Sequence, residues 1–185
     1  MFRSIAIGIL IGMVALTTCA FVSFNGVRLG VTENVEVSTI LIGNNIVYAN
    51  SGTGSANTTY VKIFTAINSG VSNTGYLYIN ISDTDDSILL IYDSSNNLLA
   101  TSDAKTSVSA GWNEYTFSGA NKINISKGTQ YKLGILFSGD IAVNTLSTGS
   151  QYQYQLSTTY PTPPNPFVSG GNSGTMRDLS LYIKS

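Results

Sequence analysis

The chain of 185 residues carries nine basic and ten acidic side chains, so its net charge is −1 and charged residues make up only 10% of it. Neither sign of charge is clustered, which excludes the basic surface that a nucleic-acid-binding protein needs. Histidine is absent and Cys19 is the only cysteine, which removes imidazole bases, the usual zinc ligands and any intrachain disulfide.

An apolar segment near the N-terminus predicts that the chain leaves the cytoplasm. No charged residue lies between Arg3 and Arg28, and the run from Ile5 to Phe24 predicts a helix long enough to cross a bilayer. We therefore assign residues 1–25 to a signal peptide or membrane anchor, with membrane contact through residues 4–24. Residues 26–185 form the exported domain.

The sequence leaves four interpretations of this segment open. It fits a signal peptide cleaved after Ala20, an anchor that is not cleaved, or a lipidation signal from Leu16 to Cys19. Through Arg3 and Ser4 it also loosely resembles the processing site of archaeal pilin-like proteins. In each case the rest of the chain is exported to the cell surface, either anchored to the membrane or secreted.

Beyond Gly26 the hydrophobic pattern predicts short strands, and no stretch has sustained helical periodicity. The run from Tyr76 to Ile81 alternates in character. The pattern therefore predicts that three aliphatic side chains face inward and that two tyrosines and an asparagine face outward. The inward set is Leu77, Ile79 and Ile81, and the outward set is Tyr76, Tyr78 and Asn80.

A second segment predicts a hairpin with a buried first strand. Ile88 to Tyr92 is apolar throughout, which is typical of a strand that is covered on both faces and central in its sheet. Asp93 to Asn97 supplies turn residues, and the apolar pattern resumes from Leu98 to Thr101.

Two later segments alternate and predict half-buried strands, one from Tyr131 to Phe137 and one from Leu179 to Ile183. All four prolines fall between Tyr160 and Phe167, which predicts a stiff, extended loop before the closing strand. Together these segments predict an all-β fold, an antiparallel two-sheet sandwich, behind one N-terminal hydrophobic helix.

Several runs follow one another in a characteristic order. They are Leu89-Leu90-Ile91-Tyr92-Asp93, Asn97-Leu98-Leu99-Ala100-Thr101-Ser102, Ala110-Gly111-Trp112-Asn113, Lys127-Gly128-Thr129-Gln130-Tyr131-Lys132-Leu133-Gly134 and the proline-rich loop. This series resembles a widespread family of extracellular jelly-roll domains akin to carbohydrate-binding modules, over residues 43–185. The resemblance implies a jelly-roll sandwich at the cell surface. Lys132 departs from the pattern, because the family usually has an aromatic residue there.

Three tyrosines are the predicted ligand-binding residues. A strand from Gln151 to Gln155 would place Tyr152 and Tyr154 on one face and glutamines on the other, and Tyr160 begins the proline-rich loop. Sugars stack on aromatic rings and bond to amides, so this pattern predicts a carbohydrate platform. The alternative is that Tyr152 and Tyr154 pack in the core. The resemblance places Trp112, the only tryptophan, as a core or edge-sealing residue.

No catalytic residue, metal ligand or cofactor is predicted. Asp83, Asp85 and Asp86 lie in a run of six residues that is better interpreted as a solvated turn than as a calcium loop. A glycosidase needs two carboxyl groups across a cleft, whereas these acids are near neighbours in the chain. We therefore expect a protein that is not an enzyme.

Two functions fit the sequence. The favoured one is a non-catalytic, carbohydrate-binding-type module at the cell surface, with a glycan or another cell-wall component as its partner. The alternative is a structural subunit of a pilin-like surface, an envelope or a virion, which would associate with copies of itself.

Overall fold

The computed structural model describes residues 21–24, 27–30, 38–145 and 151–185. The chain divides into two compact units, Met1–Ser38 and Thr39–Ser185. The described residues contain strands and one short 3-10 helix, and their antiparallel sheets pack as a sandwich. The predicted all-β sandwich is therefore confirmed.

In the first unit the structure describes two short strands. β1 (Phe21–Phe24) pairs antiparallel with β2 (Val27–Gly30). The helix predicted from Ile5 to Phe24 lies outside the described residues except for its last four, which form β1 instead. Residues 21–24 therefore do not continue the predicted helix. Their aromatic and β-branched side chains favour a strand.

The strands of the second unit follow one another in a regular series. They are β3 (Ile40–Gly43), β4 (Asn50–Gly54), β5 (Thr59–Thr65), β6 (Gly70–Val71), β7 (Thr74–Ile79), β8 (Ser87–Asp93), β9 (Leu98–Thr101), β10 (Gly111–Thr116), β11 (Asn124–Ile125), β12 (Gln130–Phe137), β13 (Ile141–Thr145), β14 (Gln151–Gln155), β15 (Gly171–Arg177) and β16 (Leu181–Lys184). The 3-10 helix η1 (Gly119–Asn121) precedes β11. None of the described helices is long and apolar enough to span a membrane.

Two six-stranded sheets form the sandwich. The first sheet has the order β3-β16-β7-β13-β4, and β10 also pairs with β7. The second sheet has the order β15-β14-β5-β12-β8-β9. β6 and β11 pair in a separate small ladder. The side chains that face between the two sheets form the main core.

The main core follows the predicted alternation. Leu77 and Ile79 of β7 are buried, and Tyr76 and Tyr78, which alternate with them, point to the opposite face. Leu89 and Ile91 of β8 supply the facing side chains from the second sheet. Ile81 is an exception: the alternation predicted that it faces inward, but it is 62% exposed. β7 ends at Ile79, so the alternation no longer applies two residues later.

The outer face of the second sheet carries a second apolar cluster, which the proline-rich loop covers. Phe167 of this loop packs on Ile88, Leu90 and Tyr92 of β8, and Val61 and Leu136 complete the cluster. The Tyr92 hydroxyl donates to the Pro164 carbonyl at 3.0 Å. Because both faces of β8 are covered, the prediction of a fully buried strand is confirmed, although β8 lies next to the edge strand β9.

The same cover explains why β12 is more buried than predicted. All its residues from Tyr131 to Phe137 are buried, where the alternation predicted a half-buried strand. Lys132 is among them: its ammonium group donates to the side chain of Asn96 and lies 5.9 Å from the centre of the Phe167 ring. The aliphatic stem of Lys132 is therefore buried, while its ammonium group bonds to a loop residue.

The first and last residues of the sandwich unit lie side by side. The Thr39 amide donates to the Ser185 hydroxyl at 3.0 Å, and the Ser185 amide donates to the Thr39 carbonyl at 3.0 Å. These bonds extend the pairing of β3 with β16 and hold the two ends of the unit together.

Candidate functional site

The structure places Tyr152 and Tyr154 on one face of β14, as predicted, and that face is the inner one. Tyr152 is 0% exposed and belongs to the main core, and Tyr154 packs against the same core. Burial raises the pKa of the Tyr152 hydroxyl, which has no hydrogen-bond partner among the described residues. The ring of Tyr152 is therefore not available to a ligand at the surface.

Tyr160 lies apart from these two tyrosines. It packs against the outer cluster of the second sheet, on the opposite face from the main core. Its hydroxyl oxygen is buried, and burial together with the charge of Asp86 raises its pKa. The structure therefore does not bring the three predicted tyrosines together on one exposed surface.

A different set of aromatic residues meets on the outer face of the first sheet. Tyr76 and Tyr78 come from β7, Trp112 comes from β10, and Tyr182 comes from β16. Trp112 lies opposite Tyr78 in the strand register, and Tyr182 lies opposite Tyr76. We call these four residues the aromatic strip. They lie together because β10 and β16 pair with the two sides of β7.

The rings of the aromatic strip contact one another in two arrangements. Tyr76 and Tyr182 stack with centroids 4.9 Å apart and planes 16° apart, so they stand side by side at the usual strand spacing. Trp112 meets Tyr182 at 5.0 Å and 66°, and it meets Tyr78 at 5.3 Å and 90°. Neither of these two neighbours lies parallel to the indole, and Trp112 remains 37% exposed.

Charged groups stand beside the strip on both of its sides. The Tyr76 hydroxyl donates to Oε2 of Glu114 at 2.7 Å, and this bond together with burial raises the pKa of Tyr76. Glu114 belongs to β10 and is exposed. The Lys184 ammonium lies 5.3 Å from the Tyr76 ring centre and 5.7 Å from that of Tyr182. The strip therefore has a carboxylate along β10 and an ammonium group along β16.

A shallow cleft of about 250 Å³ lies beside β10. Its lining residues come from β10 and from the segment before it, and they are Asp103, Ala104, Lys105, Thr106, Glu114, Tyr115 and Thr116. Glu114 belongs both to this cleft and to the rim of the aromatic strip. The two surfaces are therefore adjacent.

The acidic run before β8 is an irregular connection whose side chains accept hydrogen bonds from backbone amides. The Asp85 amide donates to Oδ1 of Asp83 at 3.0 Å, and the Ser107 amide donates to Oδ1 of Asp86 at 3.3 Å. Across the described ranges, no group of three or more acidic, cysteine or histidine side chains is arranged to hold a metal ion. The geometry therefore offers this run a local structural role.

The sequence contained part of the signal for the aromatic strip. Alternation predicts that Tyr76 and Tyr78 face outward, and Tyr182 and Lys184 alternate with the inward residues of β16 in the same way. What the sequence did not contain is the strand order that places Trp112 beside them. Neither a model of a known protein family nor a curated protein sequence matches the chain.

Proposed function

We propose that this protein is a non-catalytic β-sandwich of the cell surface that binds carbohydrate through the aromatic strip. The observation that carries the proposal is the position of Trp112, an exposed aromatic residue whose ring makes T-shaped contacts with both Tyr78 and Tyr182. A side chain held in this way loses little rotational freedom when a ligand binds, which favours affinity.

The chemistry of the strip suits a sugar. The C–H face of a sugar ring packs on an aromatic ring, while its hydroxyl groups need hydrogen-bond donors and acceptors at the edge of the contact. Glu114 supplies acceptors on one side of the strip, and Lys184 supplies donors on the other.

The location of the strip also supports the proposal. The apolar outer face of the second sheet is covered by Phe167 and its loop, so that face is used to stabilise the sandwich. On the first sheet, aromatic and charged side chains occupy the outer face and Trp112 keeps access to solvent. Tyr182 is buried and Tyr76 and Tyr78 are half-buried, so Trp112 is the member of the strip most accessible to a ligand. An exposed aromatic residue surrounded by polar groups is typical of a binding site.

Export and surface display remain part of the proposal through the apolar segment in residues 1–25 and the resemblance to extracellular jelly-roll domains. A non-catalytic role is supported by the absence of histidine from the sequence and by the hydrogen bonds that the Asp83 and Asp86 carboxylates accept from backbone amides. The partner is a glycan or a glycan-bearing component of a cell wall.

The test is a glycan array followed by calorimetric titration of each bound oligosaccharide. Trp112→Ala should lower the affinity by about two- to tenfold or more, because an aromatic contact contributes about 0.5–1.5 kcal/mol beyond the area it buries. The matched control is Leu99→Ala on β9, since Leu99 is 38% exposed and lies in the other sheet. If the wild type binds no glycan and instead associates with itself through Trp112, the structural-subunit alternative replaces this proposal.

A further inference from the structure

We infer that the carbohydrate is an uncharged chain of several sugar residues that continues from the aromatic strip, across Glu114, into the cleft beside β10. This inference rests on the proposed function and extends it to a class of ligand. It assigns one part of the ligand to the rings and the next part to the cleft.

Glu114 connects the two parts of the site. Through Oε2 it accepts the hydrogen bond from Tyr76 in the strip, and it also lines the cleft. Among the described strands β10 pairs only with β7, so its other side forms an edge of the sheet. A sugar chain can pass over this edge without crossing another strand. A sugar chain that stacks on Trp112 and runs along β10 therefore meets the Glu114 carboxylate before it enters the cleft.

The wall of the cleft opposite β10 is held in place by backbone bonds. The Asp103 amide donates to the Thr116 carbonyl at 2.8 Å, which ties this wall to the end of β10. Lys105 and Ser87 exchange two backbone bonds of 2.9 and 3.1 Å, which tie the wall to the start of β8. The cleft is therefore formed before a ligand arrives, and binding needs no ordering of this segment.

The cleft offers polar groups of both kinds. The Tyr115 hydroxyl is buried and engaged with the Ser87 hydroxyl at 2.7 Å, so Tyr115 contributes mainly to the floor. The remaining polar side chains provide carboxylate, ammonium and hydroxyl groups, and they are Asp103, Lys105, Thr106, Glu114 and Thr116. Sugar hydroxyls both donate and accept hydrogen bonds, so this mixture fits them.

The charge balance of the cleft selects against anionic sugars. Among the described residues that line the cleft, Asp103 and Glu114 carry two negative charges and Lys105 carries one positive charge. A uronic acid or sulfated residue placed there would face like charges, which disfavours binding. Lys184 does not line the cleft; its ammonium group lies 5.3 Å from the ring centre of Tyr76 and 5.7 Å from that of Tyr182, in the aromatic strip.

The test compares chain lengths. The purified protein is titrated with neutral oligosaccharides of one linkage, from the monosaccharide upward, and with a matched series in which the sugars are uronic acids. Oligosaccharides long enough to extend from the strip into the cleft should bind the wild type about tenfold more tightly than shorter ones. The reason is that their hydroxyl groups form hydrogen bonds to charged groups in the cleft. Thr106→Trp, which fills the cleft, should remove this gain.

Two controls separate the inference from the proposed function. Thr65→Trp alters an exposed residue on β5 of the other sheet, so affinity should still increase with oligosaccharide length in this variant. Binding that depends on Trp112 but does not change with chain length or with Thr106→Trp would overturn the inference and leave the proposed function standing. Uronic acid chains bound as tightly as neutral ones would also overturn it. Absence of binding to either series would contradict the proposed function itself.

Discussion

Trp112 and Tyr182 lie on strands that are not neighbours, yet the centres of their rings are only 5.0 Å apart. β10 and β16 flank β7, so their backbones are roughly 10 Å apart at the usual strand spacing. The two side chains must therefore lean toward each other over β7. The indole therefore contacts the Tyr182 ring directly, and this contact helps to set how far the indole is exposed.

Because Trp112 is the only tryptophan, intrinsic fluorescence reports directly on the strip. Tyr182→Ala should shift the emission to longer wavelength, since removal of the supporting ring exposes the indole to water. Tyr131→Ala is the comparison, because it removes a buried tyrosine from the other sheet. An unchanged spectrum in Tyr182→Ala would contradict the contact between the two rings.

Tyr152 provides a test of the core. Tyr152→Phe should leave the free energy of unfolding unchanged or raise it by up to about 1–3 kcal/mol, since it removes a buried hydroxyl without a partner among the described residues. Tyr152→Ala should lower it by about 3–5 kcal/mol. Denaturant titration measures both. A clear loss of stability in the phenylalanine variant would mean that the hydroxyl makes a stabilising bond.

Phe167 should anchor the proline-rich loop. Phe167→Ala removes a buried aromatic side chain from the outer cluster and should destabilise the protein by about 3–5 kcal/mol. Val168→Ala is the matched control, because the adjacent valine is 62% exposed and its loss should change stability by about 0.5 kcal/mol at most. Equal melting temperatures for the two variants would contradict the anchoring role.

The protein should lose stability at alkaline pH. Burial raises the pKa of Tyr92, Tyr115 and Tyr152 above the ordinary value of 10.0, so these hydroxyls stay neutral in the folded state. Their contribution to stability is fully present below pH 10.0 and decreases as the pH rises above it, because the unfolded chain then releases protons that the folded chain retains.

Each such tyrosine should contribute a slope of about 1.4 kcal/mol per pH unit in this range. Denaturant midpoints at a series of pH values, with tyrosinate absorbance recorded in parallel, measure the effect. Tyr152→Phe should reduce the slope of stability against pH by the contribution of one tyrosine. A stability that stays constant well above the ordinary tyrosine pKa would be inconsistent with burial of these hydroxyls.

The apolar segment should determine how the protein partitions. The full-length chain should associate with membranes unless it is processed, whereas a chain that begins at Gly26 should be soluble and show β structure by circular dichroism. Membrane flotation of both chains provides the measurement. Full-length, unprocessed protein in the cytosol would contradict the proposed export.

The sequence predicted the sandwich well because alternation is a local property. Leu77 and Ile79 face the core and Tyr76 and Tyr78 face away from it, as the pattern of β7 indicates. Alternation also showed that Tyr152 and Tyr154 share a face. Alternation could not show which face of β14 points into the core. The predicted carbohydrate platform therefore included Tyr152 and Tyr154, which pack in the core or against it.

The aromatic strip could not be predicted as a unit because it depends on strand order. Trp112 approaches Tyr78 and Tyr182 only because β10 and β16 pair with opposite sides of β7, and these pairings join distant parts of the chain. The burial of Lys132 had a similar origin, since it depends on Asn96 in one loop and Phe167 in another.

The bonds between Thr39 and Ser185 have a practical consequence for display and engineering. Because Thr39 and Ser185 are adjacent, a tether attached to either residue would present the domain to a surface in a similar orientation. A short linker could also join these ends, and new termini could be opened in an exposed turn such as Ser94-Ser95. The domain is therefore suited to circular permutation, which would allow the aromatic strip to be turned toward or away from a support without altering its residues.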